Sequence, residues 1–277
     1  MKNKWILLAI FISIIFFPVA VNAEEKNGLV TENGKKYYYV DGIKQTGFQT
    51  INGNTYFFTR VEDHAMRAGV FNVDGDIYGF NENGIMQTGW YNQNGKTYYF
   101  LENGKAVQGF QTINGKHYFF TRVEDHAMRT GSFDIDGSYY KFTEDGTSYQ
   151  GWYEENGNKY YFDETGKRVS GFQEIEGKTY FFSEVNNILK TGLQKQNNDI
   201  NKMFYLNDDG SVYQGWKELD GKIYYFGENN FSVTGFQTID NKKYYFDNHE
   251  LKIGLINVID KLIYANESGE IQYGWQT

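Results

Sequence analysis

Residues 89–110, GWYNQNGKTYYFLENGKAVQGF, contain the pattern from which the fold can be predicted. A glycine followed by an apolar residue opens the stretch, and the next such pair, Gly109-Phe110, ends it. Between them, Asn94-Gly95 separates two short runs that are rich in aromatic residues. Asn-Gly between such runs predicts a two-residue β-hairpin turn, because both central residues of that turn need positive φ. Alternation along the second strand then predicts that Tyr98 and Phe100 lie on one face and Tyr99 on the other.

The same landmark glycine recurs along the chain at intervals of 19 to 23 residues, so twelve units occupy residues 28–274. The landmarks are Gly28, Gly47, Gly69, Gly89, Gly109, Gly131, Gly151, Gly171, Gly192, Gly215, Gly235, Gly254 and Gly274. A fixed period indicates a repeat protein in which each unit buries its apolar face against its neighbours. We predict an all-β solenoid of about twelve stacked hairpins over residues 24–277, with no separate catalytic domain.

The residue after the landmark glycine follows a second period, of three units. Residues 48–69 return almost unchanged as residues 110–131, three units further along. We therefore predict three hairpins per superhelical turn, which would place the tryptophans along one edge. A tryptophan in this position either packs between hairpins or forms a platform for a sugar ring or a quaternary ammonium group. The tryptophans concerned are Trp90, Trp152, Trp216 and Trp275.

Composition and motif spacing exclude several functions. The 35 acidic and 27 basic residues give a net charge of -8, which argues against nucleic acid as a partner. The chain has no cysteine and its four histidines lack metal-ligand spacing, so we expect no metal, no cofactor and no thiol chemistry. The acid–histidine segment at residues 61–64 recurs at 123–126, and duplication favours a structural turn over catalysis. The arginines that flank the two copies are expected either to pair with these acids or to donate to ligand hydroxyls; they are Arg60, Arg67, Arg122 and Arg129.

Residues 1–23 have the features of a secretory signal peptide. Lys2 and Lys4 precede an apolar run over residues 5–17, and Val21-Asn22-Ala23 offers small residues for cleavage. The apolar run is short for a membrane span, and no second one follows. We predict a secreted protein, free of the membrane after cleavage.

Residues 89–110 and 215–236 resemble the bacterial cell-wall-binding repeat superfamily. This group includes choline-binding repeats, the glucan-binding repeats of glucansucrases and the C-terminal repetitive oligopeptides of clostridial toxins. The resemblance covers residues 28–277 and implies a β-hairpin solenoid at the cell surface, attached noncovalently to a wall polysaccharide, a teichoic acid or another glycan. Because choline-binding relatives pair through terminal hairpins, it also implies that a homodimer can form.

The resemblance favours a glycan over choline as the ligand. In choline-binding repeats the pocket needs the Gly-Trp tryptophan, a second tryptophan just before the Tyr-Tyr pair and an aromatic residue from the next hairpin. At the second-tryptophan position this chain has Thr97, Lys159 and Ile223. By similarity to the glucan-binding and toxin repeats, the sugar would lie at a junction between hairpins. Two alternatives remain: a choline-binding surface protein, and an adhesin or spacer that displays partner-binding loops. The predicted ligand-binding residues are Trp90, Trp152, Trp216 and Trp275, with Tyr99, Tyr161 and Tyr225 beside them.

Overall fold

The computed structural model describes residues 25–61, 63–123, 125–196, 199–259 and 261–273. Within these ranges the chain forms β-strands and turns and no helix, so the all-β prediction is confirmed. The predicted signal peptide and Trp275 lie outside the described residues. The strands are β1 (Gly28–Glu32), β2 (Lys35–Val40), β3 (Ile43–Lys44), β4 (Gly47–Ile51), β5 (Asn54–Phe58), β6 (Gly69–Val73), β7 (Asp76–Phe80), β8 (Gly89–Gln93), β9 (Lys96–Phe100), β10 (Gly109–Ile113), β11 (Lys116–Phe120), β12 (Gly131–Ile135), β13 (Ser138–Phe142), β14 (Gly151–Glu155), β15 (Asn158–Phe162), β16 (Gly171–Ile175), β17 (Lys178–Phe182), β18 (Gly192–Gln196), β19 (Asp199–Leu206), β20 (Gly215–Leu219), β21 (Lys222–Phe226), β22 (Gly235–Ile239), β23 (Lys242–Asp247), β24 (Glu250–Leu251), β25 (Gly254–Val258), β26 (Lys261–Ala265) and β27 (Ile271–Gln272).

In the described ranges, consecutive strands pair into twelve antiparallel hairpins, which we number 1 to 12 along the chain. Hairpins 1, 11 and 12 each carry a short third strand, namely β3, β24 and β27. In hairpin 4, Asn94 and Gly95 have φ values of 51° and 74°, as the predicted two-residue turn requires. Hairpin 8 makes the same turn with Glu176, whose φ is 52°, so the Asn-Gly and Asp-Gly pattern did not find every hairpin turn.

The second Asn-Gly pair of a unit forms a different turn from the first. At Asn103-Gly104 only the glycine has positive φ, and its N–H donates to the Leu101 carbonyl at 2.8 Å. The chain then makes a single bridge from Ala106 to Phe100 instead of a second hairpin. Each unit of this type is therefore one hairpin followed by a tight turn and a short connector.

Each of hairpins 2 to 11 contributes an almost fully buried phenylalanine to the core. Phe100 is 1% exposed and faces the landmark Gly89 across the strands, while Tyr99 lies half-buried on the opposite face. The predicted alternation is therefore confirmed. Burying a phenylalanine contributes roughly 1.5–3 kcal/mol. The equivalent phenylalanines of hairpins 2 to 8, 10 and 11 are Phe58, Phe80, Phe100, Phe120, Phe142, Phe162, Phe182, Phe226 and Phe246, and hairpin 9 buries Phe204 and Leu206.

Within each compact unit, backbone hydrogen bonds join several hairpins to the connector that follows the next one. Ser148 N donates to the His117 carbonyl at 2.8 Å, and Arg168 N donates to the Tyr139 carbonyl at 2.8 Å. Ion pairs span the same interval, as in the pair between Lys178 and Asp209 at 3.1 Å. A single hairpin cannot bury its aromatic residues alone. These hydrogen bonds and ion pairs hold the next repeat against it, so that the aromatic residues are buried between the two.

The described residues form two compact units, residues 25–107 with 122–127 and residues 108–121 with 128–273. The duplicated acid–histidine segment forms a turn in both copies. Asp63 accepts a hydrogen bond from Ala65 N at 3.0 Å and pairs with Lys35, and Asp125 makes the equivalent contacts. The number of hairpins per superhelical turn stays a prediction.

Candidate ligand-binding site

The residue after the landmark glycine is the second residue of each hairpin's first strand, and we call it the platform position. It lies directly opposite the last residue but one of the second strand. The structure therefore pairs each described tryptophan of the predicted site with its predicted tyrosine. The ring centroids are separated by 5.1 Å in Trp90–Tyr99, 5.3 Å in Trp152–Tyr161 and 5.0 Å in Trp216–Tyr225.

The next hairpin supplies two further rings to Trp152. Tyr180 lies 5.0 Å away at an interplanar angle of 75°, and Phe182 lies 5.8 Å away at 38°. Edge-to-face contacts of this kind stabilise aromatic pairs beyond the area they bury. The indole nevertheless remains 37% exposed. Trp152 thus packs hairpin 7 against hairpin 8 and also presents an aromatic surface to solvent.

A groove of about 290 Å³ lies beside this indole, and we call it the Trp152 groove. Its aromatic floor is bordered by charged side chains that can donate and accept hydrogen bonds. A sugar ring has a matching composition, because its C–H face is apolar and its edge carries hydroxyl groups. The lining residues are Trp152, Tyr153, Glu154, Lys159, Tyr180, Leu189 and Asp209.

The carboxylate of Asp209 is held in place at the edge of the Trp152 groove. It accepts hydrogen bonds from the hydroxyl and the backbone N–H of Ser211 and pairs with Lys178. These contacts, led by the Ser211 hydroxyl, lower the pKa of Asp209 to about 2. The groove therefore has an oriented carboxylate that stays ionised in mildly acidic solution as well as at neutral pH.

Trp216 lies in a more apolar corner than Trp152. Tyr244 of the next hairpin lies 4.9 Å away at 66°, and Phe246 stacks on the indole at 5.9 Å and 28°. Ile223 packs against the same cluster. Trp216 is half-buried, so a larger fraction of its indole is covered by neighbouring side chains than in Trp152.

Trp90 is the most exposed of the described tryptophans of the predicted site, at 41%, and meets Tyr99 nearly edge-on at 74°. Thr97, at the position of the absent second tryptophan, donates a hydrogen bond from its hydroxyl to Asn92 Oδ1 at 2.6 Å. In hairpin 7 that position holds Lys159, which lines the Trp152 groove. None of the three described units thus supplies an indole as a second wall.

Sequence reasoning did not assign Tyr180 and Tyr244 to the site. Each lies on the second strand of the hairpin after its tryptophan, 28 residues further along the chain. That constant distance was a usable signal, but it acquires meaning only when the packing of one hairpin on the next is known.

The duplicated acid–histidine segment takes no part in the aromatic corners. Arg60, expected to pair with the acids of its own segment, instead binds Asp74 of hairpin 3 at 2.7 Å. Over the described ranges, no three histidine, aspartate or glutamate residues converge in a way that could hold a metal ion. The same ranges contain no helix with the length and hydropathy that a membrane span requires.

A family model described as "Putative cell wall binding repeat" matches five segments: residues 46–59, 88–106, 150–167, 214–229 and 234–248. Three of these segments contain Trp90, Trp152 or Trp216. The other two contain Phe48 and Phe236, which occupy the platform position in hairpins 2 and 11. The matches therefore fall on hairpins that present an aromatic platform. No curated protein matches the chain.

Solved structures of choline-binding proteins from Streptococcus pneumoniae share the fold. Choline binding protein F aligns with a TM-score of 0.64 and 22% identity, over 89% of this chain and 98% of that one. CbpJ aligns with a TM-score of 0.62 and 22% identity, over 88% and 99%. The modular autolysin LytC, solved with a synthetic peptidoglycan ligand, aligns with a TM-score of 0.52 and 18% identity, over 81% and 52%.

Proposed function

We propose that this chain, five segments of which match the model of cell wall binding repeats, is a non-catalytic protein that binds a bacterial cell-wall glycan. The binding sites are the aromatic corners at hairpin junctions. The observation that carries the proposal is the Trp152 groove, in which an exposed indole lies among fixed hydrogen-bonding groups. Several weak sites in one array give avidity for a polymer.

Two structural relatives support a wall glycan as the ligand class. Choline binding protein F was solved in the presence of a peptidoglycan analogue, a tetrasaccharide-pentapeptide, and LytC in complex with a synthetic peptidoglycan ligand. Within this chain, Lys159 supports the same class at hairpin 7. Its side chain lines the Trp152 groove and can donate to sugar hydroxyls, while Glu154 and Asp209 can accept from them.

A second candidate ligand, choline, is favoured by the geometry at Trp216. The indole meets Tyr225 at 64° and Tyr244 at 66°, which gives a corner of steeply inclined aromatic faces. Such faces attract a quaternary ammonium group by cation–π interaction. The third side holds the neutral Ile223 instead of a lysine. Choline binding therefore belongs to hairpin 10 in this proposal and the glycan to hairpin 7.

Binding to purified bacterial cell walls, measured by sedimentation, tests the proposal. We expect Trp152→Leu to weaken binding, because leucine fills the platform position in hairpin 9 but offers no ring for stacking. A variant with leucine at positions 90, 152 and 216 should bind about 100-fold more weakly, as expected when several linked sites are lost. The control is Leu193→Val, a change at a platform position without a ring. Wild-type binding by the triple variant would refute the proposal.

Tryptophan emission separates the two ligands. Titration with a soluble N-acetylglucosamine tetramer should change the emission through Trp152, and choline chloride should change it through Trp216. Each change should vanish in the corresponding leucine variant and persist in the other. A chain that responds to neither ligand and does not bind walls would instead fit the adhesin or spacer.

Export and surface location are part of the same proposal. Residues 1–23 carry the features of a signal peptide, and a protein that binds wall polymers must reach the wall. N-terminal sequencing of the protein released from intact cells should find Glu24 first. Sedimentation equilibrium tests the homodimer, which stays a prediction. Recovery of the whole chain, with Met1, from the cytoplasm would contradict export.

A further inference from the structure

Hairpin 5 forms an aromatic corner without a tryptophan. Its platform residue, Phe110, lies 4.9 Å from Phe119 of the same hairpin and 4.8 Å from Tyr140 of hairpin 6. The phenyl ring is 39% exposed, close to the exposure of Trp152. Phe110 therefore occupies the same structural position as the tryptophans and presents a comparable surface.

A groove of about 240 Å³ opens beside this ring, and we call it the Phe110 groove. It shares no residue with the Trp152 groove. Its lining contains no carboxylate, lysine or arginine, so its hydrogen-bonding groups are amide, hydroxyl and imidazole. The lining residues are Phe110, Gln111, Thr112, His117, Tyr140 and Thr165.

His117 is the distinctive polar group of the Phe110 groove. Its Nδ1 lies 3.0 Å from the hydroxyl oxygen of Thr112, directly across the hairpin, and this contact orients the imidazole. Within the described residues no hydrogen bond engages the other ring nitrogen, Nε2. An oriented imidazole beside an exposed phenyl ring can bond a hydroxyl of a sugar that stacks on the ring.

The duplicated hairpin 2 is a natural comparison for this site. Phe48 lies 4.9 Å from Tyr78 and is 36% exposed, so the aromatic corner is almost the same. The position of His117 is occupied there by Thr55, whose hydroxyl lies 3.4 Å from that of Thr50. The two hairpins therefore differ in the polar group on the outer face and keep the same platform.

The remaining phenylalanine platforms have different surroundings. In hairpin 8, Phe231 covers Phe172 edge-on, with ring centroids 5.9 Å apart at 86°. In hairpin 11, Phe236 contacts Tyr245, but hairpin 12 has Ile263 at the position that Tyr140 takes in hairpin 6. The Phe110 corner thus combines an open ring, a second aromatic wall and an imidazole.

We propose that the Phe110 groove is a second kind of sugar-binding site, which takes an uncharged pyranose ring. The ring stacks on Phe110, and one of its hydroxyls bonds to His117. The ligand class rests on the proposed function. The site differs from the Trp152 groove in its hairpin junction, its platform residue and its polar group. The neutral lining favours an uncharged sugar because no fixed charge is available to balance an ionic ligand.

Histidine ring signals in the NMR spectrum of the full chain test the proposal. The chain has four histidines, and His117→Thr, which introduces the residue of hairpin 2, identifies the signal of His117. Titration with an N-acetylglucosamine tetramer should shift that signal saturably. Phe110→Leu should weaken the effect about tenfold through loss of the stacked ring, and Phe48→Leu should leave it unchanged.

Leucine occupies the platform position in hairpins 9 and 12, so Phe110→Leu is expected to fold, and thermal unfolding checks this. As a second variant, His117→Thr should reduce by one the number of tetramers bound per chain, measured by calorimetry. A silent His117 signal with responsive tryptophan emission would overturn this proposal and leave the proposed function in place. Silence of both probes would overturn both. A His117 shift caused by choline chloride would overturn the assignment of an uncharged ligand.

Discussion

Replacing Gly79 by alanine tests how tightly hairpins 3 and 4 pack. Gly79 does not have the positive φ of a turn glycine, so alanine fits the backbone and would alone stabilise the chain by about 0.5–1 kcal/mol. The added Cβ, however, would lie 2.5 Å from two atoms of the Phe100 ring. That ring is almost fully buried and cannot move without displacing its neighbours. Overpacking of this kind costs about 1–3 kcal/mol, so we expect a net destabilisation of up to about 2.5 kcal/mol.

Urea denaturation measures the effect, and Trp90 in hairpin 4 serves as the fluorescent reporter. The control is Gly227→Ala, which also lacks positive φ and whose Cβ would come no closer than 3.3 Å to another atom, Asn229 Oδ1. We expect the control to be neutral or slightly stabilising. If Gly79→Ala were as stable as Gly227→Ala, the tight contact between hairpins 3 and 4 would be refuted.

Three further predictions concern turns, charge and core. Gly166→Ala should destabilise the chain by about 1–3 kcal/mol more than Gly157→Ala, measured by thermal unfolding. Both glycines have positive φ, but only at Gly166 would the added Cβ lie 2.8 Å from a backbone oxygen, that of Lys141. Equal losses of stability in the two variants would contradict this. The Thr143 and Thr147 hydroxyls lower the pKa of Asp145 from 3.8 to about 2, so its stabilising effect is present above pH 4 and is lost as the pH falls towards 2. The stability difference between wild type and Asp145→Asn should therefore shrink over that pH range, measured by urea denaturation. A constant difference would contradict a stabilising role of the ionised Asp145 carboxylate. Phe162→Ala should lower the free energy of unfolding by about 3–5 kcal/mol, measured by calorimetry. Tyr161→Ala should lower it clearly less, because Tyr161 is only half-buried. Similar losses of stability would contradict the alternation of faces.

Local pattern was sufficient to predict the hairpins. Asn94-Gly95 specifies a turn through the φ values its two residues tolerate, and alternation assigns Tyr98 and Phe100 to the buried face. Both properties depend on residues that are near one another in the chain. The kind of turn at Asn103-Gly104 is not set by the pair alone, because there the following connector bridges back to Phe100.

The candidate site was predicted only in part. The platform tryptophans and the tyrosines opposite them follow from the period and the pairing register, so the sequence alone is enough to place Trp152 beside Tyr161. The second wall could not be predicted in the same way. Tyr180 reaches Trp152 from the next hairpin, and that contact depends on how one hairpin packs against another.

The amino-acid sequence carries the repeat, the turn positions and the inward and outward faces, since each follows from backbone preferences within about 20 residues. The grooves depend on the tertiary packing of one hairpin against another. Trp152, Tyr180 and Asp209 belong to three consecutive repeats. They border one groove because Tyr180 packs against Trp152 and Lys178 of the same hairpin pairs with Asp209. Phe110 shows the same principle, since a phenylalanine that looks like core in the sequence becomes a platform when hairpin 6 covers only part of its ring.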